Sequence, residues 1–194
     1  MVYPVPVVVN KFEWNTTFNI SHNSSDVKYL GEGVDMLGID GASARSGGVS
    51  VQNIVGMPYG QLVGYKYKRH DGQIVYKDGI AQRSDNLEVL GSGVYKVTGG
   101  WRNELKYDKF TLSFLLDFKF GAKLFSGTNF GLYGNGLHKN TLQGRGEDGK
   151  GKITGNGVMQ DANGDYVSNN VEVSAQTYWQ GIQRNNISEE FLYH

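Results

Sequence analysis

Between Phe110 and Phe120 every second residue is large and apolar: Phe110, Leu112, Phe114, Leu116, Phe118 and Phe120 share one face, while Thr111, Ser113, Leu115, Asp117 and Lys119 share the other. A period of two is the mark of a β-strand with two unlike faces. Just upstream, Trp101, Leu105 and Tyr107 alternate with Arg102, Glu104 and Lys106, and Asp108-Lys109 separates the two runs. Matched alternating runs with two residues between them predict a β-hairpin. The same pattern runs near the start of the chain, with Phe12, Trp14, Thr16, Phe18 and Ile20 against Glu13, Asn15, Thr17, Asn19 and Ser21. A weaker strand is expected over residues 62–68, placing Val63, Tyr65 and Tyr67 on one side.

Segments 31–60, 70–100 and 126–186 are rich in Gly, Asn, Asp and Ser and read as long loops. Such loops are rare in compact domains. Transmembrane barrels, however, have short turns on one side and long loops on the other. No helix-period segment of useful length and no internal repeat stands out, so the expected class is all-β. Periodicity alone leaves two architectures open, a transmembrane barrel and a soluble sandwich with half-buried strands. The Phe-dominated face of 110–120 favours the barrel, because soluble cores mix Val, Ile and Ala with their aromatics.

Charge and composition close several routes. Of 194 residues, 19 are basic and 19 acidic. A net charge of zero argues against a nucleic-acid partner and against a polybasic membrane-surface segment. With no cysteine there is no disulfide framework, thiolate metal site or cysteine nucleophile. Residues 1–10 lack a basic leader and are interrupted by Pro4 and Pro6, so they do not read as a secretory signal. No run approaches the roughly 18 apolar residues of a spanning helix, whereas a spanning strand needs only about 9 to 11 residues.

Local motifs are weak. Residues 144–151, GRGEDGKG, contain the G-x-x-x-x-G-K part of a phosphate loop, but Gly151 stands where Ser or Thr is needed. Asp161, Asn163, Asp165, Asn169 and Glu172 have a calcium-loop spacing, with Tyr166 where glycine is required, and an Asx-rich turn is the expected reading. His22, His70, His138 and His194 are scattered and are expected to be solvated. Asn15-Thr16-Thr17, Asn19-Ile20-Ser21, Asn23-Ser24-Ser25 and Asn186-Ile187-Ser188 match the glycosylation sequon, as chance matches in an Asn- and Ser-rich chain do. There is no G-x-S-x-G elbow, metal set or carboxylate pair of stated spacing, so neither an enzyme, a cofactor nor a metal is expected.

Six strings occur in order: FEWNTTFNISHN (12–23), PYGQLVGYKYKR (58–69), LGSGVYKVTGGWRNELKYDKFTLSFLLDFKFG (90–121), LFSGTN (124–129), GLHKNTLQGR (136–145) and NNISEEFLY (185–193). Together they resemble the C-terminal third of SusC/RagA-type TonB-dependent outer-membrane transporters, from near Lys11 onward. The resemblance implies a partial antiparallel transmembrane β-barrel, a few strands of a 22-stranded family barrel, with long extracellular loops. It implies location in the cell outer membrane and import of oligosaccharides or peptides. The implied partners are a SusD-like surface lipoprotein, the TonB complex and outer-membrane lipid. Residues 1–194 are then expected to be a barrel fragment without the plug domain and the final strands. Such a fragment is expected to aggregate on expression or, where it is compact, to form a curved sheet of few strands with loops folded over one face.

Under this resemblance Phe12, Trp14, Phe18, Phe110, Leu112, Phe114, Leu116 and Phe118 face lipid, residues 31–93 and 126–193 lie outside the cell, and Asp108-Lys109 turns at the periplasm. Phe12, Trp14, Tyr107 and Phe110 belong near the periplasmic interface, where aromatic girdles gather. The expected substrate contacts are polar groups beside aromatics within the second excursion: Tyr133, Asn135, His138, Arg145, Tyr178 and Trp179. The alternative is a soluble β-sandwich carbohydrate-binding module, with Tyr65, Tyr67, Trp101 and Trp179 stacking on sugars.

Overall fold

A computed structural model describes residues 7–39 and 48–193. His194 and residues 1–6 of the N-terminal stretch lie outside the described residues. Among the described residues the first element is β1 (Val7–Val9), which turns at Asn10-Lys11 into β2 (Phe12–His22). The first excursion follows, built from β3 (Met36–Gly38), β4 (Ser50–Ile54), β5 (Gln61–Gly64), β6 (Arg69–His70), β7 (Gln73–Lys77), β8 (Ile80–Ala81) and β9 (Glu88–Ser92). The chain returns along β10 (Val97–Tyr107) and leaves again along β11 (Phe110–Phe120). The second excursion holds β12 (Leu124–Phe125), α1 (Gly127–Gly134), a 3-10 turn at Lys139–Leu142, β13 (Lys152–Thr154), β14 (Val158–Gln160), β15 (Tyr166–Ser168) and β16 (Glu172–Ser174). It ends with α2 (Ala175–Arg184), a 3-10 turn at Ser188–Phe191 and β17 (Leu192–Tyr193).

The class is β, predominantly antiparallel. The main sheet has the order β1-β2-β10-β11. Its register pairs Trp101 with Phe18 and Leu116, Leu105 with Trp14 and Leu112, and Tyr107 with Phe12 and Phe110. All eight residues expected to face lipid therefore lie on one side of one sheet, and Glu13, Arg102, Glu104, Lys106, Asp117 and Lys119 lie on the other. Both turns at the lower end are two residues long, and Asn10 and Asp108 each take φ of 53°, a left-handed backbone that Asn and Asp tolerate. Lys11 and Asp108 join the two turns through a 3.6 Å ion pair and a 3.1 Å hydrogen bond from the Asp108 N–H to the Lys11 carbonyl.

Two polar side chains interrupt the apolar side and are turned inward. The Trp14 indole N–H donates to Asn103 Oδ1 at 3.0 Å, and the Trp101 indole N–H donates to Thr16 Oγ1 at 2.7 Å. Each indole donor thus meets a polar side chain on the same face of the sheet. Near the top, the Phe118 ring lies over Gly99, where a Cβ would collide with the ring and with the Asn19 carbonyl. Phe18 and Phe118 stack at 5.7 Å beside it.

The sheet does not close among the described residues. β1 covers only the Phe12–Trp14 end of β2, and the outer edge of β11 has no strand against it. The expectation that loops fold over one face is corrected, since β11 is exposed on both faces. The excursions instead gather beyond the upper strand ends, because their own apolar residues supply a better core. A larger cluster centres on Tyr133, Trp179, Ile182, Ile187 and Phe191, and a smaller one on Val49, Leu62 and Leu90. Phe125 packs against both. The stretches read as long loops are therefore a folded cap of short strands and two helices.

Helix α2 forms because Ala175, Trp179 and Ile182 fall on one face, and the Ser174 hydroxyl accepts the Thr177 N–H at 3.1 Å. Helix α1 has poor glycine-rich propensity and is held by Phe130 and Tyr133, with Ser126 capping the Asn129 N–H.

Candidate functional site

The GLHKNTLQGR string runs from the end of α1 into a self-fastened wrap. The His138 Nδ1 accepts the Asn140 N–H at 3.2 Å, and the Thr141 hydroxyl donates to the His138 carbonyl at 2.6 Å. Arg145 closes the wrap: its Nε donates to the Thr141 carbonyl at 2.7 Å, and its Nη2 donates to Thr141 Oγ1 at 2.9 Å and to the Gly136 carbonyl. Helix α2 lies against this wrap, with the Trp179 indole donating to the Gln143 carbonyl at 3.0 Å and Gln180 Nε2 donating to the Gly134 carbonyl at 2.9 Å.

Between them is a cleft of about 370 Å³, lined in part by Tyr133, Asn135, Arg145, Gln176 and Trp179. Four of the six residues expected at a substrate site therefore meet in one place. The other two do not line it. His138 sits behind, its ring 4.8 Å from that of Tyr133, and Tyr178 turns to the far side of α2, where its hydroxyl lies 3.4 Å from that of Tyr76. Tyr133 and Trp179 contribute edges, not open faces, because both rings belong to the cap core. The aromatics of the sandwich alternative are not gathered. Tyr65 lies under the Arg83 guanidinium at 4.0 Å, Trp101 is on the main sheet, and Tyr67 and Trp179 lie inside the cap.

A second constellation involves residues that sequence reasoning left as part of a string. Glu190 Oε2 accepts the Tyr67 hydroxyl at 2.8 Å, Glu190 Oε1 accepts the Tyr133 hydroxyl at 3.0 Å, and Asn140 Nδ2 donates to the Tyr133 oxygen at 2.8 Å. Burial first, and the Glu190 charge second, push both phenols above their ordinary range. Burial likewise raises Tyr76, assisted by its hydrogen bond with Tyr178. Glu189 accepts the Tyr67 N–H at 3.0 Å and pairs with Arg69 at 3.4 Å. The Ser188 N–H donates to the Tyr65 carbonyl at 2.9 Å. These contacts fasten the NNISEEFLY string onto PYGQLVGYKYKR, joining the two excursions. The only sequence signal for them was the order of the strings.

The weak motifs resolve into backbone structure. GRGEDGKG is a loop that crosses itself, with the Gly151 N–H donating to the Arg145 carbonyl at 2.6 Å; a Cβ at Gly151 would strike the Gly144 carbonyl. It leads into β13, not into a helix. In the Asx-rich turn, Asp161 Oδ1 accepts the N–H groups of Asn163 at 2.9 Å and Asp165 at 3.0 Å. Glu172 instead pairs with Lys152 at 3.6 Å, and His70 stacks on Tyr166 at 3.7 Å. Among the described residues, no three His, Asp or Glu side chains gather as a metal set.

A comparison with known protein families and with curated proteins finds no match.

Proposed function

We propose that the chain is a wall and cap segment of a SusC/RagA-type TonB-dependent outer-membrane transporter, and that it has no catalytic role. The observation that carries this reading is the main sheet, in which three strands of 11 residues carry one largely apolar face, interrupted by Thr16 and Asn103, and one largely polar and charged face opposite. Eleven residues at about 3.3 Å each, tilted by about 40–45°, cover roughly 25 Å, the height of a barrel's apolar band. Short turns at one end and a folded cap at the other match the asymmetry of outer-membrane barrels.

The open edge of β11 and the uncovered part of β2 need further strands, because hydrocarbon does not tolerate unpaired N–H and C=O groups. Those strands, the plug, a SusD-like lipoprotein and the TonB complex belong to the parent transporter. Its cargo is an oligosaccharide or a peptide, and nucleic acid is not a partner. The charged face, with Lys106 paired to Glu104 at 2.9 Å and to Glu13 at 3.6 Å, suits a watery lumen. A soluble sandwich would require a second sheet over the apolar face, and among the described residues none lies there.

Solubility tests the reading. The purified chain is expected to aggregate in plain buffer and to become monodisperse and folded only with detergent. A monomeric, cooperatively unfolding species in plain buffer would overturn the reading and favour the binding module.

A further inference from the structure

The cleft beside α2 has one charged side chain, Arg145, and no carboxylate in its lining. Arg145 is half-buried and has no ion pair among the described residues. Its Nε and Nη2 are held by Thr141 and Gly136, which fixes the guanidinium plane, while Nη1 donates to no described group. Asp148, on the loop that follows Arg145, accepts the Lys150 N–H of its own loop at 3.0 Å. The remaining polar lining is neutral and has spare capacity. Asn135 spends its amide N–H on the Gly131 carbonyl and leaves Oδ1 open, and the Gln176 side chain makes no hydrogen bond to any described residue.

A partly desolvated cation without a counter-charge is satisfied best by an anion that brings its own oxygen to the open nitrogen. Neutral amides beside it suit hydroxyl groups, which both donate and accept. We infer that this cleft takes a carboxylate-bearing sugar unit, its acid on Arg145 Nη1 and its hydroxyls on Asn135 and Gln176. The volume lies at the small end of ligand clefts, which limits the bound part to a short stretch of glycan. The inference deepens the transporter reading and rests on it for the purpose of binding, not for the chemistry of the cleft. A carboxylate can also come from a peptide C-terminus, so the probes must separate the two sources.

The test is calorimetry on the full 194-residue chain in detergent micelles, using digalacturonate, the same disaccharide with both acids reduced to alcohols, and a dipeptide. Digalacturonate is expected to bind about tenfold or more tighter than either of the others, with affinity falling as salt rises. Arg145→Gln should lose about tenfold or more. Because that change also loosens the wrap, Gln176→Glu is the second variant; it disturbs no internal bond and should weaken the acidic sugar while leaving the near-ultraviolet dichroism of the cap unchanged. Equal affinity for the reduced disaccharide, no binding of any probe, or an unaltered affinity in Gln176→Glu would overturn the inference. Preference for the dipeptide would overturn the sugar as source. None of these outcomes depends on whether the chain needs detergent to fold, so the transporter reading fails or stands separately.

Discussion

In the main sheet large apolar side chains stay outside, Phe110 at 79% exposure and Phe120 at 61%, whereas the cap hides Tyr133 at 2% and Phe191 at 0%. Both regions come from one chain with one amino-acid vocabulary. Burying a large apolar side chain contributes about 1.5–3 kcal/mol in water, and the cap collects that contribution through edge-on aromatic packing, Phe191 lying 4.8 Å from Tyr133 and 5.3 Å from Phe130. The sheet collects only part of it: Phe12, Trp14, Leu105 and Phe118 are half-buried, and the other large apolar side chains of β11 are exposed. A sheet built of such strands is therefore suited to a different surrounding from the cap, and that contrast supports the lipid-facing reading. The two regions also differ in how polar groups are used. In the cap they join excursions, as Glu190 does; on the apolar side of the sheet they accept the indole donors, as Asn103 and Thr16 do.

The largest expected effect separates the regions from the cap side. Phe191→Ala should cost the cap about 3–5 kcal/mol in a denaturant titration followed by near-ultraviolet dichroism, while detergent association of the sheet stays as it was. Next comes the sheet. In the parent barrel proposed above, Leu116→Arg or Phe114→Arg should cost about 2–4 kcal/mol near the bilayer midplane and Ser113→Arg little; equal costs in a refolding titration would reject the assigned faces. A smaller effect is expected from Glu190→Gln, which leaves one of two buried phenols without its acceptor and should destabilise the cap by about 1–3 kcal/mol.

The mildest perturbation is alkali. Tyr67, Tyr76 and Tyr133 have folded-state values raised above the ordinary phenol. Their contribution to stability is therefore fully present below about pH 10, the unfolded value, and is lost as pH rises from there toward the folded values. Absorbance at 295 nm should show late tyrosine ionisation coinciding with loss of cap structure, and early, gradual ionisation of all tyrosines would contradict the buried network.

The sheet was legible because its strands are long. Alternation over residues 12–20 and 110–120 anticipated β2 and β11, and Asp108-Lys109 anticipated the turn. β1 was not, since Val7-Val8-Val9 has no alternation to read. In the cap most strands are two to five residues long, too short for any period to register. Helix α1 spells GTNFGLYG, whose propensity opposes the structure it adopts, so only tertiary packing selects it. Of the weak strand at 62–68 the register held only in part: Gln61–Gly64 is a strand, and Tyr65 and Tyr67 make single bridges to Ile187 and Arg83. The site was half legible. Aromatic and polar neighbours in sequence led to four lining residues, but Tyr178 lies on the opposite side of α2 from the cleft, and Glu190 carries no local signal of the phenols it receives from 57 and 123 residues away.

The three tryptophans divide between the regions, Trp14 and Trp101 on the apolar side of the sheet and Trp179 in the cap. Single-tryptophan variants of the chain, folded in micles of a detergent with brominated tails, therefore test the central claim. Strong fluorescence quenching of Trp14 and Trp101 with Trp179 unaffected is the predicted result; equal quenching of all three, or quenching of Trp179 alone, would contradict a lipid-facing sheet beneath a water-facing cap.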